Sequence, residues 1–445
     1  MKYWLILPLL LFPLKSFAYL DIKSTLSYTS RDYLLHRSSH SLNDQETLTA
    51  DFNLTYDNEK NFKLVLDPRI KTDFFDHDRD RFIPLESYFE IYSPHLEGTA
   101  GLELIRWGAA NSYNPTDVIN RKDFEDYYYN PERLGEVMTT FQGTIDQAGP
   151  LSELTFFAAL LPFFQEAPLP GNDTRFALEG SSSGISFSLL DDAETQKYPQ
   201  AIGGAVKISA TMDNADLSLH YYHGPDRDPG FVFVIDSNGA LRLRPFYYLV
   251  DMAGLNFSFP VHDFNFHLEA AAFFTTFNDP KPNDIPIGNN GNNNQVPDNY
   301  VTYVPGIDYT FHNVGNGDFK LTAEYLGEPN QSTSLADFRP FKNDVFFGIQ
   351  YDFDNTRFTE IKMGIIKDVS NKEWVAKGEL STKIYKELKL NFEGTVVQRD
   401  SSAQSPISIF ENNSNLMLGL SYTLGGRYQD SELLPNHQRI RYRKK

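Results

Sequence analysis

The chain of 445 residues contains no cysteine. That absence excludes a disulfide framework, a thiolate metal site, a cysteine nucleophile and a lipid-acylated N-terminal cysteine. Long hydrophobic runs are missing as well. Beyond residue 18 the nearest approach to one is 154–164, interrupted by Thr155 and Pro162, against the roughly 18 apolar residues that a membrane helix needs. A helical inner-membrane protein is therefore excluded. Cations are in deficit, with 40 Lys and Arg against 59 Asp and Glu and a net charge of -19, which speaks against a nucleic-acid partner. No Gly-x-Ser-x-Gly, His-Glu-x-x-His or phosphate-loop pattern occurs, so no catalytic signature and no cofactor are expected.

The N-terminus does carry a short apolar run, 4–14, behind Lys2 and ahead of Lys15-Ser16-Phe17-Ala18. One early charge, an apolar core too short to span a bilayer and small residues at 16 and 18 predict a secretory signal peptide over 1–18, cleaved before Tyr19. Export then leads to the periplasm, to the medium or into a barrel.

The connections between strand-like stretches of ~10 residues decide among these. Seven are short and rich in Asn, Asp, Gly or Pro, as at Asp57-Asn58-Glu59-Lys60, Asp213-Asn214 and His262-Asp263. They are tight turns. Between them lie long polar segments: 29–45, 72–84, 108–134, 162–201, 224–243, 277–300, 328–342 and 399–413. Short turns at one end and long loops at the other are the asymmetry of a transmembrane β-barrel. A mean hydropathy of -0.41 fits, because only every second strand residue of a barrel meets lipid.

Strict alternation supports the same reading. In 387–397 Leu388, Leu390, Phe392 and Val396 oppose Lys389, Asn391, Glu393 and Thr395; in 373–384 Trp374, Ala376 and Leu380 oppose Lys377, Glu379 and Lys383; in 318–326 Phe319, Leu321 and Tyr325 oppose Lys320 and Glu324. The charged faces belong in water, so Glu103, Glu324, Lys377, Glu379, Lys383, Lys389 and Glu393 are candidates to line a wet lumen. Aromatic residues gather where strands meet short turns, among them Tyr56, Phe62, Tyr92, Phe259, Phe264, Phe311 and Phe319, at the level of a headgroup girdle.

The predicted fold is all-β, an antiparallel up-and-down transmembrane barrel of about eighteen strands, with sixteen as the alternative count. The barrel spans 19–424, and a polar basic tail, 425–445, lies on the periplasmic side. The expected strands include 97–107, 152–161 and 244–259, while 181–190 is assigned to a long loop because counting it would break the even parity.

One segment carries more than architecture. Gly101-Leu102-Glu103-Leu104-Ile105-Arg106-Trp107-Gly108 is followed by Asn111-Ser112-Tyr113-Asn114-Pro115-Thr116-Asp117 and Asn120-Arg121-Lys122-Asp123-Phe124. It resembles a segment of porin-like bacterial outer-membrane barrels, including relatives of the alginate-export type, in which a strand ending in Trp-Gly precedes Asn-Pro-Thr-Asp and Pro-Arg-Asp-Phe. The chain departs from that pattern in lacking Gln before Trp-Gly and in having Asn120-Arg121-Lys122 where Pro-Arg is usual. The resemblance implies a passive channel and leaves its solute open.

Physically, Asn114-Pro115 starts a turn, Asp117 can cap a short helix from Val118, and Asn130-Pro131 closes the region. Folded into the lumen, this third long loop would present Arg106, Trp107, Asn114, Asp117, Arg121, Lys122 and Asp123 as a constriction, where charged side chains set selectivity. The alternative is a solvated surface loop. Strand 152–161 favours the inward fold: it is apolar on both faces, and something must cover its lumen side.

Two further places raise the question of chemistry. Asp73, Asp76, Asp78 and Asp80 are candidates for a divalent cation, without the Gly and terminal Glu of an EF-hand. His220 and His223 are three apart, which on a strand points them to opposite faces. The expectation is a porin-like channel in the outer membrane of a Gram-negative-type bacterium, passing small hydrophilic solutes, with lipid, lipopolysaccharide and the barrel assembly machinery as partners. Its rivals are a structural or surface-interaction barrel with a plugged lumen, and a rim hydrolase built on His77 or His223.

Overall fold

The computed structural model describes residues 19–35, 44–125, 131–171, 174–177, 180–182, 185–190, 201–235, 238–276, 299–329, 339, 341–398 and 413–429. The expected signal peptide 1–18, the tail from 430, the Asn-rich stretch 289–295 and most of the loops 277–300, 328–342 and 399–413 lie outside the described residues.

Eighteen strands form one sheet in which neighbours in sequence pair antiparallel. Tyr19–Tyr33 pairs with Asp44–Asp57 on one side and with the last strand, Asn415–Gln429, on the other. The sheet is closed, and no barrel strand has a free edge. Each of the eighteen expected strands has its counterpart, and the turns explain why. Glu59, His262, Asn313 and Lys386 adopt positive φ in the short connections, as tight hairpins require.

Alternation sorts the side chains as expected. Leu26, Phe89, Phe141, Leu160, Phe347, Leu418 and Leu424 face outward and are exposed, forming an apolar belt. Aromatic rings run along the short-turn end from strand to strand: Phe264 lies 4.4 Å from Tyr309, Phe311 5.9 Å from Phe319, and Phe319 6.5 Å from Tyr351.

Several boundaries differ from the sequence reading, three of them for a reason that bears on the loops or the closing strand. The strand expected over 97–107 is Leu96–Glu103, because the chain turns inward at once and the Ile105 N–H is taken by Asn120. The stretch 244–259 is two strands, Leu241–Phe246 and Leu249–Val261. They are split at Tyr247, whose hydroxyl accepts the Ala167 N–H at 3.0 Å. The last strand runs on to Gln429, past the expected end at 424. The region 181–190 does contain strands, Gly180–Ser182 and Ile185–Leu189, but they belong to a separate four-stranded sheet with Leu241–Phe246 and Gly230–Ile235. The even count survives.

That small sheet is built from the two long loops 162–202 and 226–248. Phe176, Leu189, Phe231 and Leu243 pack with Tyr33 of the first strand and Phe124 of the loop 104–135. Arg175 reaches across to Leu35 O at 2.6 Å and Asn413 Oδ1 at 3.1 Å, with its guanidinium 4.6 Å from the Tyr33 ring. The long-loop end of the barrel is thus crossed from one wall to the other.

Candidate functional site

The loop 104–135 begins and ends at a single side chain. Asn120, 1% exposed, accepts the Ile105 N–H at 2.8 Å and donates to Glu103 O at 2.8 Å and Leu134 O at 3.0 Å. A buried amide that satisfies both departing and returning backbone fixes the loop's neck.

From the neck the chain folds through Trp107, which is buried with its ring 6.1 Å from Phe157 and 4.7 Å from His220. Phe157 lies on the inward face of the strand Leu151–Leu161, so the apolar lumen row of that strand meets an indole. Gly108 comes next at φ 130°, and a Cβ there would lie 2.1 Å from Asn114 Oδ1. That oxygen accepts the Ala110 N–H at 3.2 Å. The spacing from Trp-Gly to Asn therefore has a physical content: glycine leaves the room in which the Asn side chain closes the turn.

The far side of the loop is held by two carboxylates of the opposite wall. Glu269 accepts the N–H groups of Ala109 at 2.8 Å and Ala110 at 3.3 Å on one oxygen, and the Thr116 N–H and hydroxyl, both at 2.8 Å, on the other. Glu324 accepts Asn111 N at 2.6 Å and Nδ2 at 3.0 Å, Ser112 N at 2.9 Å and the Ser112 hydroxyl. His267 Nε2 lies 2.8 Å from the same carboxylate. Hydrogen bonds to an ionised acceptor are the strong kind, about 1.5–3 kcal/mol each. Gly254 makes room for this contact: a Cβ there would approach Thr116 Cγ2 to 2.7 Å.

The charged residues read as constriction candidates separate into two groups. Arg106 is exposed to the lumen, within electrostatic reach of Glu86. Asp117 is buried and paired with Arg133 at 2.5 Å; burial pushes its carboxyl up, against the pull of Arg133. Lys122 pairs with Asp228 at 2.6 Å and Asp123 with Arg81 at 2.7 Å. Arg121 donates to Glu166 O at 3.3 Å. These three tie the loop to the barrel and the outer loops. Beside them Asp226 is buried, and desolvation first, then repulsion from Asp228, raises its carboxyl to about 6.

The lumen candidates on the strands face inward by register. Lys377 pairs with Glu379 at 2.6 Å and Glu393 at 3.0 Å, Lys383 with Glu387 at 3.2 Å, and Lys389 lies exposed opposite Lys383. Glu103 accepts the Thr99 hydroxyl. Two cavities border this charged wall. One, of about 310 Å³, reaches Asn111 and Ser112; the other, of about 260 Å³, lies among Ser27, Thr47, Asp51, Arg69 and Glu132.

The four aspartates of 73–80 do not converge. Asp73 accepts the N–H groups of Phe75 and Asp76 and pairs with Arg79, Asp76 accepts the Asp78 N–H, and Asp80 accepts the Thr72 hydroxyl and the Asp73 N–H. Asp73, Asp76 and Asp80 order the loop's own backbone, and among the described residues no group of three or more His, Asp or Glu is arranged to hold a metal ion. His220 and His223 do point to opposite faces: His220 is buried against Trp107, whereas His223 is half exposed on the outward face, 2.8 Å from Asp251.

Comparison with known proteins adds the fold. The chain matches no family model and no curated protein. Among solved structures it is similar to Wzi, a carbohydrate-binding outer-membrane barrel involved in group 1 capsule assembly in Escherichia coli, with a TM-score of 0.50 and 9% identity over 90% of this chain and 84% of that one. It is also similar to Pseudomonas aeruginosa OccK11 (TM-score 0.49, 11% identity, 92% and 96% covered) and to Acinetobacter baumannii OccAB1 (0.49, 12%, 92% and 98%). The likeness is one of fold, a closed antiparallel β-barrel.

The wall anchors were hidden from sequence reading. Glu324 stood out as an inward charge in an alternating strand, but nothing local says that its partners and those of Glu269 are backbone N–H groups more than 150 residues away. Asn120 carried no signal beyond its place after the motif.

Proposed function

We propose that the chain is an outer-membrane channel through which small hydrophilic solutes diffuse passively, narrowed by the loop 104–135. The observation that carries the reading is the attachment of residues 109–116 to Glu269 and Glu324 on the opposite wall, while the remaining wall keeps a charged, water-facing row. A loop so held narrows a lumen without filling it, and the exposed Arg106 and the tip residues Asn111 and Ser112 border what is left. The likeness of the Trp107-Gly108 to Asp117 segment to porin-like barrels supports the same class. Insertion in the outer membrane of a Gram-negative-type bacterium, after removal of 1–18 and with lipopolysaccharide around the apolar belt, completes the reading.

As a channel the protein is not an enzyme. Its His223–Asp251 and His77–Asp80 pairs have, among the described residues, no hydrogen bond to a serine. A second reading, a barrel with a closed lumen that acts at the surface, is favoured by Arg175 and the four-stranded sheet, which cross the long-loop end. The carbohydrate binding for which Wzi is described belongs with that reading. Recording from purified protein in planar bilayers separates the two. Discrete steps are expected from the channel; silence in the full chain and again after deletion of 112–130 would end that reading.

A further inference from the structure

The strands Gly317–Gly327, Asn343–Phe353, Glu360–Asp368 and Trp374–Tyr385 form, with the loop tip, the cavity of about 310 Å³, at the lower end of the roughly 300–1,000 Å³ usual for small-molecule sites. Its apolar side has an unusual construction. Gly348 and Gly364 are cross-strand partners, and both face inward. A Cβ on the first would lie 2.9 Å from the Phe346 ring, and one on the second 2.8 Å from it. Two neighbouring side chains are thus missing beneath one aromatic ring, which lies over the bare backbone of both strands. Ile366 and Val375 continue the apolar surface.

The polar side pairs each of its ammonium groups with a carboxylate. Lys362 pairs with Glu360 at 2.7 Å, Lys377 with Glu379 at 2.6 Å and Glu393 at 3.0 Å, and Lys320 with Asp308 at 3.3 Å. Every ammonium named has a carboxylate beside it, so the wall offers an anion no surplus of positive charge. What it offers instead is donors and acceptors side by side. A hydroxyl group is both donor and acceptor, and it can bridge such a pair without disturbing the charge balance. Adjacent hydroxyls on a rigid ring match successive pairs along the wall.

An apolar ring face and a rim of hydroxyls describe a pyranose. We propose that this cavity binds the ring of a neutral sugar, its C–H face on Phe346 and its hydroxyls on the Lys362 and Lys377–Glu379 groups, with Asn111 and Ser112 of the loop tip closing the opposite side. The proposal deepens the channel reading and rests on it for passage of the sugar; binding itself does not require conduction.

The test is saturation-transfer NMR on the detergent-solubilised full chain with methyl β-glucopyranoside, set against sorbitol, which lacks the ring face, and glucuronate, which adds a charge. The pyranoside is expected to bind most tightly of the three. Phe346→Ala should weaken it about tenfold, the loss of one ring contact. Gly364→Ala should weaken it similarly by lifting the ring while keeping it, and so answers for the case in which the first variant does not fold. Tighter binding of glucuronate, equal binding of sorbitol, or affinity unchanged in a folded variant overturns the proposal. Absence of binding in protein that conducts removes the sugar site alone, whereas Phe346-dependent binding in protein that does not conduct upholds the site and ends the channel reading.

Discussion

The two halves of the barrel wall have the same outside and differ in the balance of apolar and charged residues on their insides. From Glu136 to Phe311 the inward positions include Met138, Ala159, Leu161, Ala205, Tyr222, Met252, Ala271, Phe273 and Val304, all buried, and the loop 104–135 lies against them. From Gly317 through the closing pair to Tyr92 they include Lys320, Lys362, Lys377, Glu379, Lys389, Glu393, Lys23, Asp51 and Arg69, and here the lumen is wet. Lipid dictates the outer row of both halves equally, so only the inner row is free to record what lies inside. An apolar inner row in a transmembrane strand marks the place where another segment docks.

If the loop is held by Glu269 of the first half and Glu324 of the second, removing that hold should have the largest effect. In Glu269→Ala with Glu324→Ala, the loop's backbone N–H groups lose acceptors that contribute about 1.5–3 kcal/mol each. The size limit of liposome swelling should rise, and the barrel should still shift its gel mobility on heating. Trp107→Ala removes one packing contact of about 3–5 kcal/mol. Its expected result is a smaller rise in the same size limit, with noisier single-channel current.

Acidity sharpens the comparison at the join between the loop and the outer sheet. The Asp226 carboxyl is raised to about 6, so the folded state holds a proton that the unfolded segment releases nearer 4. Attachment of 226–228 is therefore weakest above pH 7 and gains as pH falls through 6 toward 4, with no further gain below. Hydrogen exchange of 226–248, corrected for the intrinsic rate, should show greater protection at pH 5 than at pH 8. The wet half should respond least in stability: Lys383→Gln with Lys389→Gln is expected to change it by less than about 1 kcal/mol, while the reversal potential in a salt gradient moves toward cation preference.

How far the sequence revealed this division depends on distance along the chain. Turn chemistry and alternation are local, and they yielded eighteen strands, the inward charges and the even parity that kept 181–190 out of the barrel. The apolar inner row of 152–161 announced a covering segment, and Trp107 lies on Phe157. Arg121, Lys122 and Asp123 show the limit of local reading, because their partners, Glu166, Asp228 and Arg81, are far away in sequence. The strand end at Glu103 was obscured similarly, since the alternation continues through Arg106 and only Asn120 turns the chain inward.

The absence of cysteine makes the central claim directly measurable. A single Asn111→Cys gives a unique thiol at the exposed tip of the loop, beside the larger cavity. In a single-channel recording, adding a charged methanethiosulfonate reagent should lower the current in one irreversible step, because the loop tip borders the conducting path. Complete labelling, verified by mass, with an unchanged current would contradict it.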